Sequence, residues 1–300
     1  MQALYVYYND REDNLSASQV LKILDKNIDK LYGLYLYLLL LLRELGSFMV
    51  HYDEEVKSRY IQNESDLKNS LKFVNNPVLQ ALQNSEEFEK ALKANHVSWN
   101  GDTDILRKIF LDLKSQEIYK DYLMAPEESA GVNYELLTFI LRHYTTNFPV
   151  VQQHLEEEFY NWLDDRKVAK QMAGKTLQAI AIDTEAKIPL MPQSHREDEN
   201  YIFAQELVKK TIAEDAFLEK TIRAKTEHWE SHQVAMLDMI IIKMAVCEFI
   251  FFPTIPPKVS INEYIELAKT YSTPQSKKFV NGVLDAILKD LNKEGKALMK

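Results

Sequence analysis

Residues 233–288 decide the fold, and they read QVAMLDMIIIKMAVCEFIFFPTIPPKVSINEYIELAKTYSTPQSKKFVNGVLDAIL. The first part is an almost continuous apolar run, which predicts a helix that is buried on all sides. Prolines at 253, 256 and 257 interrupt the chain, because proline cannot continue a helix interior. Two amphipathic segments follow, so the stretch predicts three helices joined by two turns.

The second of these helices carries a capping-box pattern. The Ser260 side chain can accept a hydrogen bond from the Glu263 amide, and the Glu263 carboxylate can reach back to the Ser260 amide. Proline just upstream restricts the preceding backbone, which favours a sharp start. We therefore expect this helix to begin at Ser260 and to continue to Lys269.

The third helix has an apolar face and two cations at its start. Ser272 or Thr273 can cap it, Pro274 suits its first position, and one face collects Ser276, Val280, Val283, Ile287 and Leu291. Lys277 and Lys278 lie in the first turn, where the helix dipole disfavours positive charge. With Phe279 beside them, they suit a phosphate and an unstacked base. Solvated lysines and a core phenylalanine are the alternative.

These residues resemble the NusB family of bacterial transcription antitermination factors. The similar motifs are P-x-K-V-x-I-N-E at 256–263, E-L-A-K at 266–269 and K-F-V-N-G-V-L-D at 278–285, with K-M-A-V-C-E-F upstream at 243–249. They cover about fifty residues almost without gaps. The resemblance implies an all-α, NusB-like helical bundle.

The resemblance also implies partners and sites. It implies single-stranded boxA-like RNA, the small-subunit ribosomal protein NusE and the transcription elongation complex as partners, with no catalytic residue and no cofactor. The implied RNA-binding residues are Gln275, Lys277, Lys278, Phe279 and Asn281. The implied NusE-binding residues are Tyr5 and Asp238.

The chain before this region predicts an inserted helical subdomain. Residues 1–9 resemble the end of the first NusB helix, 10–195 form the insertion, and 196–300 form the NusB-like domain. In the family, an arginine-rich segment opens the first helix. This sequence starts after that segment, so either the start codon was placed late or the segment is absent, and its absence would weaken RNA binding. We expect helices near 17–60, 77–94, 102–124, 133–147 and 150–183, and another over 201–223.

Composition and charge exclude several classes of protein. The chain has 300 residues, a net charge of −9 and one cysteine, so a disulfide framework is excluded. Any RNA contact must be a local patch, because the chain as a whole is acidic. The apolar run 31–42 is too short to span a bilayer, which predicts a core helix and no membrane role. His228 and His232 have helical spacing but lack the pattern of a zinc site.

Two functions remain from the sequence. The first is a cytoplasmic, non-catalytic, RNA-binding antitermination factor that pairs with NusE to keep ribosomal RNA transcription processive. The second is a protein-interaction adaptor that keeps the NusB fold but binds RNA weakly or not at all. No glycine-rich nucleotide loop occurs in the sequence, and nothing else in it supports an enzyme.

Overall fold

The computed structural model describes residues 1–10, 15–59, 71–99, 103–126, 130–183, 187–193, 198–226 and 234–293. Every regular element in these ranges is a helix, so the all-α prediction is confirmed. The first nine are α1 (Gln2–Asn9), α2 (Ala17–Arg59), α3 (Pro77–Asn84), α4 (Glu86–Ala94), α5 (Thr103–Leu113), α6 (Glu117–Met124), α7 (Ala130–Asn147), α8 (Pro149–Glu158) and α9 (Trp162–Ile182). The others are α10 (Glu199–Ala213), α11 (Asp215–Thr226), α12 (Met236–Phe251), α13 (Pro257–Tyr271) and α14 (Ser276–Lys293).

The helices form two compact units. Unit 1 comprises Met1–Asn27 and Ser194–Lys300, and unit 2 comprises Ile28–Gln193. The division falls within α2, whose first residues belong to unit 1. Val20 is fully buried there in one core with Leu4 and Ile241, because α2 begins with an apolar face of its own. Residues 15–27 therefore pack with unit 1, whereas the predicted insertion began at residue 10.

Unit 1 is built around α12. Eleven of the sixteen residues of this helix are buried, as expected for a helix that is apolar on all sides. The rest of this core comes from α1, the start of α2, α10, α11, α13 and α14. The apolar face predicted for α14 is confirmed, since Ser276, Val280, Val283, Ile287 and Leu291 are all buried.

Unit 2 is built around the apolar part of α2. Leu34 through Leu42 are buried without interruption, and they share a core with Phe110, Leu137 and Trp162. The stretch Ala17–Tyr52 is long and apolar enough to cross a membrane by length and composition alone, and 72% of its most apolar window is buried inside the protein. The apolar run 31–42, which was predicted to be too short to span a bilayer, thus lies within a longer helix. Its burial supports the predicted core role.

Four predicted helices are each broken into two. The breaks lie at Ser85, at 114–116, at 159–161 and at Glu214. At the first break the Ser85 hydroxyl accepts a hydrogen bond from the Phe88 amide at 3.1 Å, which caps α4. At the second break the Ser115 hydroxyl donates to the carbonyl of Asp112 at 2.7 Å. Polar side chains bound to the backbone compete with the helical hydrogen bonds at such positions.

The predicted capping box is wrong. Helix α13 starts at Pro257, three residues before the expected start, because proline is well suited to the first helical position. Ser260 therefore lies inside the helix and is buried. Its hydroxyl donates to Glu248 Oε1 at 2.5 Å and does not cap the helix.

The packing of residues 15–27 predicts different outcomes for two deletions. Asp25 accepts a hydrogen bond from the Tyr201 hydroxyl at 2.6 Å, so a short polar linker can bridge the ends of unit 1. We expect deletion of 28–193 to leave unit 1 folded. Deletion of 10–193 also removes Val20, Leu21 and Leu24 from its core, which costs at least about 3 kcal/mol of unfolding free energy.

Alkylation of Cys247 measures this difference. Cys247 is the only cysteine in the chain and is fully buried in α12. Burial raises the pKa of its thiol to about 11, so labelling at neutral pH requires unit 1 to open. The denaturant dependence of labelling gives the stability of each deletion. Equal stability of the two deletions would contradict the boundary at residue 27.

Candidate nucleic-acid interface

Three buried charged residues of α12 connect it to its neighbours. Asp238, Lys243 and Glu248 are 5%, 2% and 6% exposed. They are five residues apart, and each residue turns an α-helix by about 100°, so successive members point about 140° apart around the axis. The three charged side chains therefore point in three different directions around the axis of α12. A buried charge needs a partner, and each of the three has one on a different helix.

Lys243 and Glu248 hold the helices on two sides of α12. Lys243 Nζ contacts Asp215 Oδ1 at 2.5 Å and Glu219 Oε2 at 3.0 Å, both on α11. Glu248 accepts hydrogen bonds from the hydroxyls of Ser260, at 2.5 Å, and Tyr264, at 2.7 Å, both on α13. Burial and the Glu248 carboxylate raise the pKa of Tyr264. These contacts fix α11 and α13 against α12.

Asp238 holds the start of α14. Its Oδ2 accepts a hydrogen bond from the Ser276 hydroxyl at 2.7 Å, and Ser276 is the first residue of α14. The Ser276 amide donates to the Thr273 hydroxyl at 3.3 Å, which matches the cap predicted at Thr273. The helix begins two residues after Pro274, which was expected at its first position. A carboxylate near a helix N-terminus is favoured by the helix dipole.

The predicted RNA-binding residues form one surface at this helix start. Gln275, Lys277, Lys278 and Asn281 are exposed, and Phe279 is half-buried against the unit 1 core. Within the described part of the chain, neither Lys277 nor Lys278 has an ion-pair partner. We call these five residues the α14 start surface. Its chemistry suits an anion held by two lysines, with one ring beside it.

The two predicted partner-binding residues differ in exposure. The Tyr5 side chain is 40% exposed on α1 and is available to a partner protein. Asp238 is buried and bound to Ser276, so it positions α14 and offers no exposed carboxylate. Its assignment to a partner surface stays a prediction.

Metal binding has little support in the described ranges. No group of three or more His, Cys, Asp or Glu side chains that could hold a metal ion occurs there. His228 and His232 lie outside the described residues.

Comparison with known proteins identifies the family. Residues 163–289 match the NusB family model. The chain is 36% identical over 143 residues to the transcription antitermination protein NusB of Salinibacter ruber, which covers 45% of this chain and 87% of that protein. The chain belongs to the NusB family. This confirms the resemblance noted in the sequence.

Two further relatives carry the same name. NusB of Chloroherpeton thalassium is 33% identical over 129 residues, which covers 43% of this chain and 54% of that protein. NusB of Natranaerobius thermophilus is 35% identical over 94 residues, which covers 31% of this chain and 68% of that protein. No solved structure matches the chain.

Sequence reasoning missed the three charges of α12 as a set. Lys243 and Glu248 belong to a NusB-like motif, but the motif alone gave them no role. The signal was present, because charged side chains in an otherwise apolar helix are almost never fully buried unless they are paired. Regular spacing of such charges indicates contacts to several different helices.

The burial of Asp238 predicts a large effect on stability. Asp238→Lys places an unpaired cation in the core, and we expect it to lower the unfolding free energy of unit 1 by about 3–5 kcal/mol. Asp238→Asn keeps the shape and an acceptor for Ser276, so it costs only about 1–2 kcal/mol. Cys247 labelling in denaturant measures both values. A Lys variant as stable as the parent chain would show that Asp238 is exposed in solution.

Proposed function

We propose that this NusB-family chain is a non-catalytic transcription antitermination factor that binds single-stranded RNA at the α14 start surface. The names of its relatives support the antitermination role. The exposed pair Lys277 and Lys278, without ion-pair partners among the described residues, is the observation that supports the RNA site. Unpaired lysines at a helix start lower helix stability slightly, so their position suits binding better than folding.

The α14 start surface has chemistry suited to an unstacked nucleotide. Two ammonium groups can neutralise neighbouring phosphates, and release of counterions then drives binding. The half-buried Phe279 ring can stack on one base, while the Gln275 and Asn281 side chains supply both donors and acceptors for base edges. Single strands expose these groups, whereas a duplex hides the base faces. We therefore assign the surface to a single-stranded, boxA-like RNA.

A partner protein completes the proposed assembly. By family resemblance the partner is NusE, and the exposed Tyr5 on α1 is the contact that we assign to it. The pair would read RNA that emerges from the elongation complex and support processive ribosomal RNA transcription in the bacterial cytoplasm. Asp238 contributes to this assembly indirectly, since it holds the helix that carries the lysines.

The adaptor function is the second candidate. The chain has a net charge of −9, and the α14 start surface contributes only two lysines. Long-range attraction of RNA to such a protein is weak. In that case the protein would contact NusE and the elongation complex without holding RNA itself.

Charge reversal at the two lysines tests the RNA site. We expect Lys277→Glu combined with Lys278→Glu to weaken binding of a boxA-like RNA by about tenfold or more at low salt. Each lost phosphate contact also lowers the slope of log affinity against log salt by about 0.7 for a single strand. Fluorescence anisotropy across a salt series, with and without NusE, measures both quantities. The fold should survive, because both side chains point to solvent.

The matched control reverses the same charge elsewhere in unit 1. Lys22 and Lys26 are exposed on α2, so Lys22→Glu with Lys26→Glu changes the net charge by the same amount. Equal loss of affinity in both double variants would contradict a local site and indicate a general charge effect. If the parent chain binds NusE but shows no RNA affinity under any condition, the adaptor function is correct.

A further inference from the structure

Unit 1 contains a cavity on the side of α12 away from the α14 start surface. Its volume is about 510 Å³, within the range of about 300–1,000 Å³ typical of ligand sites. Helices α1, α11 and α12 supply most of its walls, and Asp10, Leu15 and Val234 complete the lining. We call it the α12 cavity. Of the segments that resemble the NusB family, Lys243 and the α1 residues Tyr7 and Tyr8 line the cavity, and the α14 start surface shares no residue with it.

The α12 cavity is lined by three carboxylates, Asp10, Asp215 and Glu219, and by two cations, Lys243 and Arg223. The side chain of Lys243 is only 3% exposed, whereas the side chains of Asp215 and Glu219 keep 34% and 35% of their surface exposed. The lysine thus lies behind the carboxylates it neutralises. Hydrogen bonds from Arg223 and Lys243 hold the pKa of Glu219 below its usual range, so it remains ionised at neutral pH. Arg223 is 64% exposed and is paired with Glu219, so the lining keeps an excess of one negative charge.

Several acceptor atoms around the α12 cavity remain available. Both oxygens of Glu219 are occupied, one by Lys243 and the other by Arg223 at 2.7 Å. Asp215 uses Oδ1 for both Lys243 and the Tyr8 hydroxyl, each at 2.5 Å. Its Oδ2 and the carboxylate of Asp10 accept no hydrogen bond from a described residue. These three oxygens can receive donors from a ligand.

The rest of the α12 cavity lining is mainly apolar and adaptable. Met236, Met239 and Ile240 line it together with the Tyr7 ring, and Tyr7 packs edge-on against Tyr8 with ring centroids 5.1 Å apart. Methionine side chains adjust to differently shaped ligands, and tyrosine rings attract cations through their faces. These side chains suit an aliphatic chain that leads to a positive group.

We propose that the α12 cavity binds an arginine side chain of a protein partner. The guanidinium would donate to Asp215 Oδ2 and Asp10, and its methylene chain would pack on Met236, Met239 and Tyr7. Arginine fits better than lysine because its planar group presents several donors to separate carboxylate oxygens at once. The proposal does not depend on RNA binding, since the cavity shares no residue with the α14 start surface.

Methionine NMR on the full chain tests this directly. The chain has nine methionines, and labelling their methyl carbons places two probes, Met236 and Met239, in the cavity. Met49 in the unit 2 core serves as an internal control. We expect N-acetyl-arginine N-methylamide to shift the two cavity resonances saturably, with a dissociation constant on the order of 1 mM. The Met49 resonance should not move.

Matched ligands and variants separate charge from shape. N-acetyl-citrulline N-methylamide is a neutral isostere and should bind at least about tenfold more weakly. Asp10→Asn should weaken arginine binding about three- to fivefold, whereas Asp285→Asn, an exposed change on α14, should not alter it. Absence of shifts at Met236 and Met239, or equal binding of the citrulline analogue, would overturn the proposal. Tighter binding of spermidine than of the arginine amide would overturn the choice of a protein side chain.

Discussion

The three buried charges of α12 are the constraint on which unit 1 depends. A helix that is apolar on all sides packs without directional preference, because burial of apolar area is not directional. Asp238, Lys243 and Glu248 add direction, since each must meet a partner at hydrogen-bonding distance. Because they are spaced five residues apart, they contact α14, α11 and α13, respectively. The apolar surface of α12 stabilises the unit, and the three charges select the arrangement of its helices.

This arrangement connects the core to both proposed binding sites. Asp238 fixes the first residue of α14, and therefore the position of Lys277 and Lys278 relative to the rest of the unit. Lys243 holds two carboxylates in place, and one of them, Asp215, supplies an open acceptor to the α12 cavity. A single helix thus supports the proposed RNA-binding surface at its start and the α12 cavity along its side. Loss of one partner would leave a buried charged group without its hydrogen bond, which costs at least about 1–3 kcal/mol.

Features that depend on a single helix could be predicted from the sequence. The burial of α12 and the apolar face of α14 follow from periodicity, and the family follows from fifty residues of motif. The partners of the buried charges did not follow, because Asp215 and Glu248 lie 28 and 5 residues from Lys243 and only packing decides which one it meets. The capping box failed for a related reason. Pro257 could begin the helix earlier, and a distant carboxylate, Glu248, competed for the Ser260 hydroxyl.

Hydrogen exchange on single-charge variants tests the role of α12 most directly. The variants are Asp238→Asn, Lys243→Met and Glu248→Gln, each compared with the parent chain by mass spectrometry of peptic fragments. If each charge holds its own neighbour, exchange should increase most at the start of α14, in α11 and at the start of α13, respectively. Three different patterns would support the account. One identical pattern in all three variants, or no change in any of them, would contradict it.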